Sequence, residues 1–304
     1  MPCPICQAND LRLDCASTWE NIPRSSRRYN YSGCRSCQVI SLLPAPSRVD
    51  LSDHYAHIDG AASSRAGQQT EALSTPQRGK RSLLGGYWRS VNDPYPYLSS
   101  TRAPSVISPI VDLGAGSGSF CLLAQAMDYA VSGIEQSSNS VAEAVSAGAR
   151  VHQGDVLHPA KLPEIKSAKT VTMNHVLEHL IDPREFLQEL HAAMAPDATL
   201  ILMIPNPGCL WRLLFKSAWH GWDPPIHVHH YPASALKRIL RQTGFQNVKI
   251  DTKARPDGFT RSLIHSGRLP QARYLWLRLL LLPLLPVMEA FGLGDELICI
   301  ATKR

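Results

Sequence analysis

Pro109-Ile110-Val111-Asp112-Leu113-Gly114-Ala115-Gly116-Ser117-Gly118-Ser119-Phe120 is the stretch that decides the fold. A short apolar run ends in an acid and then in three glycines at alternate positions. An alanine- and leucine-rich run from Phe120 to Met127 follows at once. The pattern is that of strand, tight turn and helix. Glycine lets a backbone pass close beneath a ligand, and the N–H groups at a helix start face that ligand. The spacing G-x-G-x-G differs from the G-x-G-x-x-G of dinucleotide binders. A second strand, Val131-Ser132-Gly133-Ile134-Glu135, ends in another acid about 20 residues on, where α/β nucleotide-binding units place a carboxylate for ribose hydroxyls.

Working towards the C-terminus, three more strand ends arrive in order. They are Gly154-Asp155-Val156, then Thr172-Met173-Asn174-His175-Val176-Leu177-Glu178-His179, then Leu200-Ile201-Leu202-Met203-Ile204-Pro205-Asn206. Strands are expected near Ile110–Leu113, Val131–Glu135, Arg150–Gln153, Thr170–Asn174 and Leu200–Ile204. Helices near Ser119–Met127, Ser138–Ala147 and Pro183–Ala195 separate them, the last with Asp182 as N-cap and Pro183 at its first position. Pro232–Gly244 reads as a helix with Leu236, Ile239 and Leu240 on its apolar stripe. Phe245–Thr252 and Glu296–Thr302 read as two further strands. Such alternation predicts an α/β fold with a parallel sheet covered on both faces, whose ligands sit at the carboxyl ends of the strands.

With these strand ends in order, residues 105–304 resemble the class I S-adenosylmethionine-dependent methyltransferases, in the branch with a VLEHL-DP segment and an IPNP strand end. The resemblance implies a Rossmann-like seven-stranded sheet whose last strand runs antiparallel. It also implies a cofactor site. Gly114, Ala115, Gly116 and Gly118 would admit the methionine part, and Asp112 would orient the turn or reach the amino group. Glu135 would hold the ribose with Gln136 beside it, Asp155 and Val156 would flank the adenine, and Asn174 would line the methionine end through its backbone.

Methyl transfer from a sulfonium needs a bound cofactor, a nucleophile in line and, for some acceptors, a base. His175, Glu178 and His179 form a polar cluster at the fourth strand end. In similar quinone-biosynthesis O-methyltransferases a Glu-x-x-Glu-His run here binds a divalent metal; in this chain His175 stands where the first Glu would be. His179 is alternatively a general base, since imidazole titrates near neutral pH. Trp219 to Tyr231 is rich in His and Trp, and His227 is the leading base candidate there, with His229 and His230 as alternates.

Towards the N-terminus, Cys3-Pro4-Ile5-Cys6 and Cys34-Arg35-Ser36-Cys37 are two C-x-x-C knuckles able to place four thiolates around a structural Zn²⁺. Leu11–Cys15 and Arg28–Tyr31 suit short strands between them, and Cys15 is left over as a small hydrophobe. The domain reading is a zinc-ribbon-like module at 1–45, a connector with a partly helical segment at 46–104, and a methyltransferase domain at 105–304. An apolar insertion at 254–294 interrupts that domain. Within it, 274–291 is too proline-broken for a bilayer span, and a lipid-facing or substrate-covering helical hairpin is expected there, with leucines packed onto the sheet or a second subunit as the alternative.

A chain of 304 residues with 44% hydrophobic content has material for one large domain and a small one. Eight cysteines behind an opening that lacks a charged and apolar leader predict a reducing, cytoplasmic setting. The net charge of +6 suits an anionic substrate or a membrane surface, and the inner membrane face is the expected peripheral contact. The expected acceptor is a hydroxyl or carbon of a small-molecule, sugar or lipid-linked substrate. Two rivals are a ribosomal or transfer RNA methyltransferase with a zinc module and a non-catalytic zinc-ribbon interaction protein. The scattered basic residues speak against nucleic acid.

Overall fold

The structure is a computed structural model that describes residues 2–19, 28–47, 51, 93–99, 106–267 and 274–304. Residues 48–50, 52–92 and 100–105 of the 46–104 connector lie outside the described residues, and near its end Pro96–Ser99 forms a short helix. The described strands are β1 (Leu11–Trp19), β2 (Arg28–Cys34), β3 (Ile40–Leu42), β4 (Ile110–Leu113), β5 (Val131–Glu135), β6 (Val151–Gln153), β7 (Thr170–Asn174), β8 (Thr199–Pro205), β9 (His229–His230), β10 (Gln246–Lys253) and β11 (Glu296–Thr302).

Every residue of β8 is buried, as a strand covered on both faces requires. It lies inside a seven-stranded sheet of order β10-β11-β8-β7-β4-β5-β6. β4 to β8 pair in parallel, and β11 runs antiparallel to both β8 and β10. The chain leaves β4 for β5 and β6 on one side, then returns to β7 on the other. That reversal opens a crevice at the carboxyl ends of β4 and β7, where α/β sheets hold their ligands.

The helices Ser119–Ala126, Ser138–Ser146, Pro183–Ala193 and Ala233–Gln242 stand within two or three residues of their predicted bounds. Leu236, Ile239 and Leu240 are buried, as their spacing predicts. One local reading is corrected. Pro183 does open its helix, but the Asp182 side chain makes no capping bond, because its backbone at φ −116° and ψ 68° lies outside the extended geometry of a capping residue.

The N-terminal knuckles flank a hairpin of β1 and β2, and Cys15 packs within the core as expected. This module is not closed on itself. Its sheet has the order β1-β2-β3-β9, so a strand from far along the chain completes it. Ile40 pairs with His230 and Ser41 with His229. Without β9 the outer edge of β3 would leave backbone groups unpaired. Cys3, Ile5, Cys34 and Val39 share one apolar core with Leu177, Tyr231 and Leu236. Arg238 Nη1 donates to the Ser36 carbonyl at 2.8 Å, which fixes the second knuckle on the 233–242 helix.

The insertion before β11 forms the helices Pro256–His265, Tyr274–Leu281 and Leu285–Ala290. Leu285 and Met288 are buried, whereas Leu279, Leu280, Leu284, Val287 and Phe291 are exposed. Among the described residues no helix is long and apolar enough to cross a membrane.

Candidate functional site

The three glycines after β4 all take positive φ: 74° at Gly114, 52° at Gly116 and 79° at Gly118. A Cβ on Gly114 would meet Val176 Cγ2 at 2.6 Å, and one on Gly118 would meet the Ala149 Cβ at 2.6 Å. A Cβ on Gly116 would meet nothing within 4 Å. The outer two glycines are therefore required by packing, and the middle one borders open space at the crevice. This open cradle has room for the cofactor that the resemblance implies. Ala115 is buried beneath it and donates its N–H to the Ile134 carbonyl at 3.1 Å.

Asp112 is 1% exposed and accepts from Thr172 Oγ1 at 2.6 Å and from Asn174 Nδ2 at 3.0 Å. Burial raises its pKa to about 7 despite those bonds. Both bonds tie Asp112 of β4 to side chains of the neighbouring β7. The Asn174 side chain is engaged on both sides, since its Oδ1 also accepts from the Tyr97 hydroxyl at 2.5 Å. Glu135 is held beside the cradle, accepting from the Gly116 N–H and the Ser137 N–H, each at 2.9 Å. Asp155 is exposed and bonds the Leu157 N–H at 3.1 Å and His158 Nδ1 at 2.6 Å. Gln136 is exposed, and Val156 packs partly against the core.

The second half of the site follows β7. His175 has a φ of 54°, rare for a residue other than glycine and typical of constrained functional positions. Its Nδ1 lies 3.2 Å from Glu178 Oε1 and its Nε2 3.3 Å from Glu296 Oε1. Burial alone would lower the His175 pKa, but the two carboxylates outweigh it and raise it to about 10. Burial would likewise raise that of Glu178, but the bond to His175 and the nearby histidines lower it to about 2. His175 is thus an imidazolium held between two acids.

Glu178, His179 and His227 each offer one ligand atom, and these atoms lie within 4.8 Å of one another. His179 Nδ1 donates to the Ile226 carbonyl at 2.9 Å, and His227 Nδ1 donates to the Gly221 carbonyl at 2.9 Å. With Nδ1 donating to a carbonyl, Nε2 is the nitrogen of each ring that faces away from the loop backbone. Glu178 is 1% exposed, and its Oε2 has no hydrogen-bond partner among the described residues. Burial, with His227 beside it and Glu178 opposing, lowers the His179 pKa to about 4, so the ring is a neutral base near pH 7. Two imidazoles and a carboxylate are also a donor set suited to a borderline divalent ion.

The two alternate bases have different surroundings, His229 bonded through both nitrogens and His230 enclosed by rings with neither nitrogen hydrogen-bonded among the described residues. His229 Nδ1 lies 2.9 Å from Ser41 Oγ and its Nε2 3.2 Å from the Ile181 carbonyl. His230 is boxed by the rings of Tyr31, Trp219, Trp222 and His227. Sequence reasoning missed Glu296 and Arg255. Arg255 Nε donates to Glu296 Oε2 at 2.6 Å, and its two Nη atoms donate to the Asp93 and Pro94 carbonyls at 3.0 and 2.9 Å. The available signal was positional: an antiparallel strand enters the sheet at the edge where parallel strands leave it, so the first residue of β11 falls at the crevice.

The four knuckle cysteines gather at one point. Cys3 Sγ lies 3.6 Å from Cys37 Sγ and Cys6 Sγ 3.6 Å from Cys34 Sγ, with all four sulfurs within 4.8 Å of one another. Disulfides are excluded at that separation. Four thiolates bound at the usual Zn–S distance of about 2.3 Å stand about 3.8 Å apart at the corners of a tetrahedron, so the set fits the ion.

A family model described as a methyltransferase domain matches residues 72–250. Among solved structures, an S-adenosylmethionine-dependent methyltransferase from Thermotoga maritima is 18% identical, with a TM-score of 0.49 over 73% of this chain and 96% of that one. One from Mesorhizobium loti is 18% identical, with a TM-score of 0.46 over 69% of this chain and 98% of that one. One from Archaeoglobus fulgidus is 20% identical, with a TM-score of 0.44 over 64% of this chain and 85% of that one. No curated protein matches. The family model spans more than half of the chain. It agrees with the seven-stranded sheet and the open glycine turn, and the chain belongs to the S-adenosylmethionine-dependent methyltransferase-domain family.

Proposed function

We propose that this enzyme methylates a hydroxyl or an acidic carbon of a small-molecule, sugar or lipid-linked acceptor. The observation that carries the reading is the convergence of Glu178 and His179, just after β7, with His227, just before β9. Bound S-adenosylmethionine supplies an electrophilic methyl group on its sulfonium. What the chain must add for an oxygen or carbon acceptor is removal of a proton. His179 and His227 present Nε2 lone pairs for it, and the Glu178 carboxylate steadies the imidazolium that results. His175 and Arg255 keep Glu178 and Glu296 ionised, so the charge arrangement is in place before the acceptor binds.

A lipid-linked acceptor is supported by the exposed apolar side chains between Leu279 and Phe291, which offer an acyl chain or a membrane surface a place to lie. The four-cysteine cluster is proposed to hold a structural Zn²⁺ that fixes the small sheet. The test is methyl transfer from radiolabelled cofactor by the purified chain to sugar-nucleotide, lipid-linked glycan, polyketide and RNA panels. Label on a hydroxyl or carbon of the first three is expected. Label on RNA, weakening steeply with salt, overturns the reading in favour of a nucleic-acid substrate.

A further inference from the structure

The hydroxyl of Tyr31 lies 2.8 Å from the Trp222 carbonyl and 2.7 Å from the His227 carbonyl. Tyr31 belongs to β2 of the four-cysteine hairpin, and both acceptors belong to the loop that carries His227. The two carbonyls bracket residues 222–227, so one side chain ties together the two ends of that turn. Across the same turn His227 Nδ1 reaches back to the Gly221 carbonyl, and the His227 N–H bonds the Asp223 carbonyl at 3.0 Å. The next residue continues the clamp. Val228 donates its N–H to the Glu178 carbonyl at 2.8 Å, and its carbonyl accepts from the Leu42 N–H at 2.9 Å. A single residue thus joins the catalytic run on one side to β3 on the other.

Tyr31 is suited to this position. It is fully buried, and its ring stacks on Trp222 with centroids 4.7 Å apart and 25° between planes. Burial holds its pKa well above the ordinary value, so the hydroxyl keeps its proton and remains a donor. A buried hydroxyl needs partners, and the loop carbonyls are the ones it has.

We infer that Tyr31 is a positioning residue: through the Trp222 and His227 carbonyls it sets the loop so that the His227 ring stays bonded to Gly221 and presents Nε2 to Glu178 and His179. The four-cysteine module is then a wall of the catalytic site and not an appended binding domain. The inference rests on the role proposed for His227, but ring placement and ring role fail separately. Placement is read by the tautomer, and role by the turnover of His227→Ala.

The experiment is NMR of the full-length zinc-loaded chain carrying nitrogen-labelled histidine, with S-adenosylhomocysteine bound. The His227 signals are assigned by their absence in His227→Gln. Wild type is expected to show His227 as a single Nδ1–H tautomer. Tyr31→Phe, which keeps the stacked ring, is expected to lose that single form and give a mixture, with calorimetric affinity for S-adenosylhomocysteine changed less than twofold. Ser41→Ala removes a different module–loop hydrogen bond and is expected to leave the His227 tautomer intact. An unchanged tautomer in Tyr31→Phe overturns the inference, as does an equal loss in Ser41→Ala, which would reduce the contact to general support. Should Tyr31→Phe fail to bind S-adenosylhomocysteine, a ring-fluorinated tyrosine at position 31, a stronger donor of the same shape, replaces it. A shift of the His227 Nδ1–H resonance is expected there, and no shift overturns the inference.

Discussion

The rings of His179 and His227 stand nearly perpendicular, with 69° between their planes and 4.9 Å between their centroids. One follows β7 and the other precedes β9, yet both Nδ1 atoms are engaged by backbone carbonyls of the same loop. The loop therefore fixes both rings, with Glu178 between them as the shared anion.

His179→Ala and His227→Ala should each lower kcat by about 10²–10⁴-fold, the usual contribution of a general base. Affinity for the cofactor should stay near wild type, since the cradle is built by the turn after β4 and not by these rings. Single-turnover kinetics beside calorimetry make the check. Wild-type turnover in both variants would return the rings to a packing role.

Stability should fall on both sides of neutrality, for separable reasons. The pKa of His175 is raised from 6.5 to about 10 on folding, so its contribution is complete below 6.5 and is lost as pH rises towards 10. The pKa of Glu178 is lowered from 4.5 to about 2, so its contribution is present above 4.5 and is lost as pH falls towards 2. The lowered pKa of His179 adds a loss between 6.5 and about 4, where the unfolded chain takes up the proton first. Tm measured against pH for wild type and His175→Gln isolates the first effect: the difference between them should shrink from pH 6.5 to 10.

Gly116 and Gly133 should respond to added side chains in opposite ways. At Gly116 the Cβ position is open, so Gly116→Val should weaken S-adenosylmethionine binding at least tenfold while costing only about 1–2 kcal/mol of stability for the left-handed backbone. At Gly133 a Cβ would meet the Ala115 Cβ at 2.6 Å and Cys121 Sγ at 2.9 Å. Gly133→Ala should therefore destabilise the fold by about 1–3 kcal/mol, the range for an overpacked core. Chemical denaturation paired with calorimetry distinguishes the two.

Replacing Cys34 and Cys37 together by Ser should release one zinc per chain and leave the cofactor cradle able to bind its ligand. Because β3 pairs with β9, the loosening should not stop at residue 45. Hydrogen exchange should rise at residues 228–230 as well as in the knuckles, and turnover should fall with it. Exchange confined to the first 45 residues would count against the shared sheet.

The exposed face of the insertion should bind anionic vesicles. Leu280→Ser with Phe291→Ser removes two of its most exposed apolar side chains, at 65% and 75% exposure, without touching the buried Leu285 or Met288. Flotation with vesicles is expected for wild type and reduced for the pair. Equal behaviour of the two would leave the leucines a role in packing alone.

Much of this architecture can be read locally. Ile110 to Gly118 carries its strand, its turn and its ligand side within a few residues, and Glu135 follows from the length of one βα unit. The buried run of β8 and the stripe of Leu236, Ile239 and Leu240 are periodic signals of the same kind. What could not be read is long-range. β9 is two residues long, too short for any periodicity, and becomes a strand only because β3 offers an edge. The bond between His175 and Glu296 joins residues brought together by an antiparallel return. Asn174 was read through its backbone because nothing in the sequence places Tyr97 within reach of its amide.

The pairing of β3 with β9 also sets an order of events. Tyr31 and its His227 partner are 196 positions apart, so this hairpin leaves the ribosome long before the strand that completes its sheet. Until residue 230 has emerged, β3 presents an unprotected edge, and edges of that kind recruit other chains. Long-range closure is also slow. An ion seated early among the four thiolates would hold the hairpin in register through that interval, and the availability of metal during synthesis would then bear on how many chains reach the native state at all.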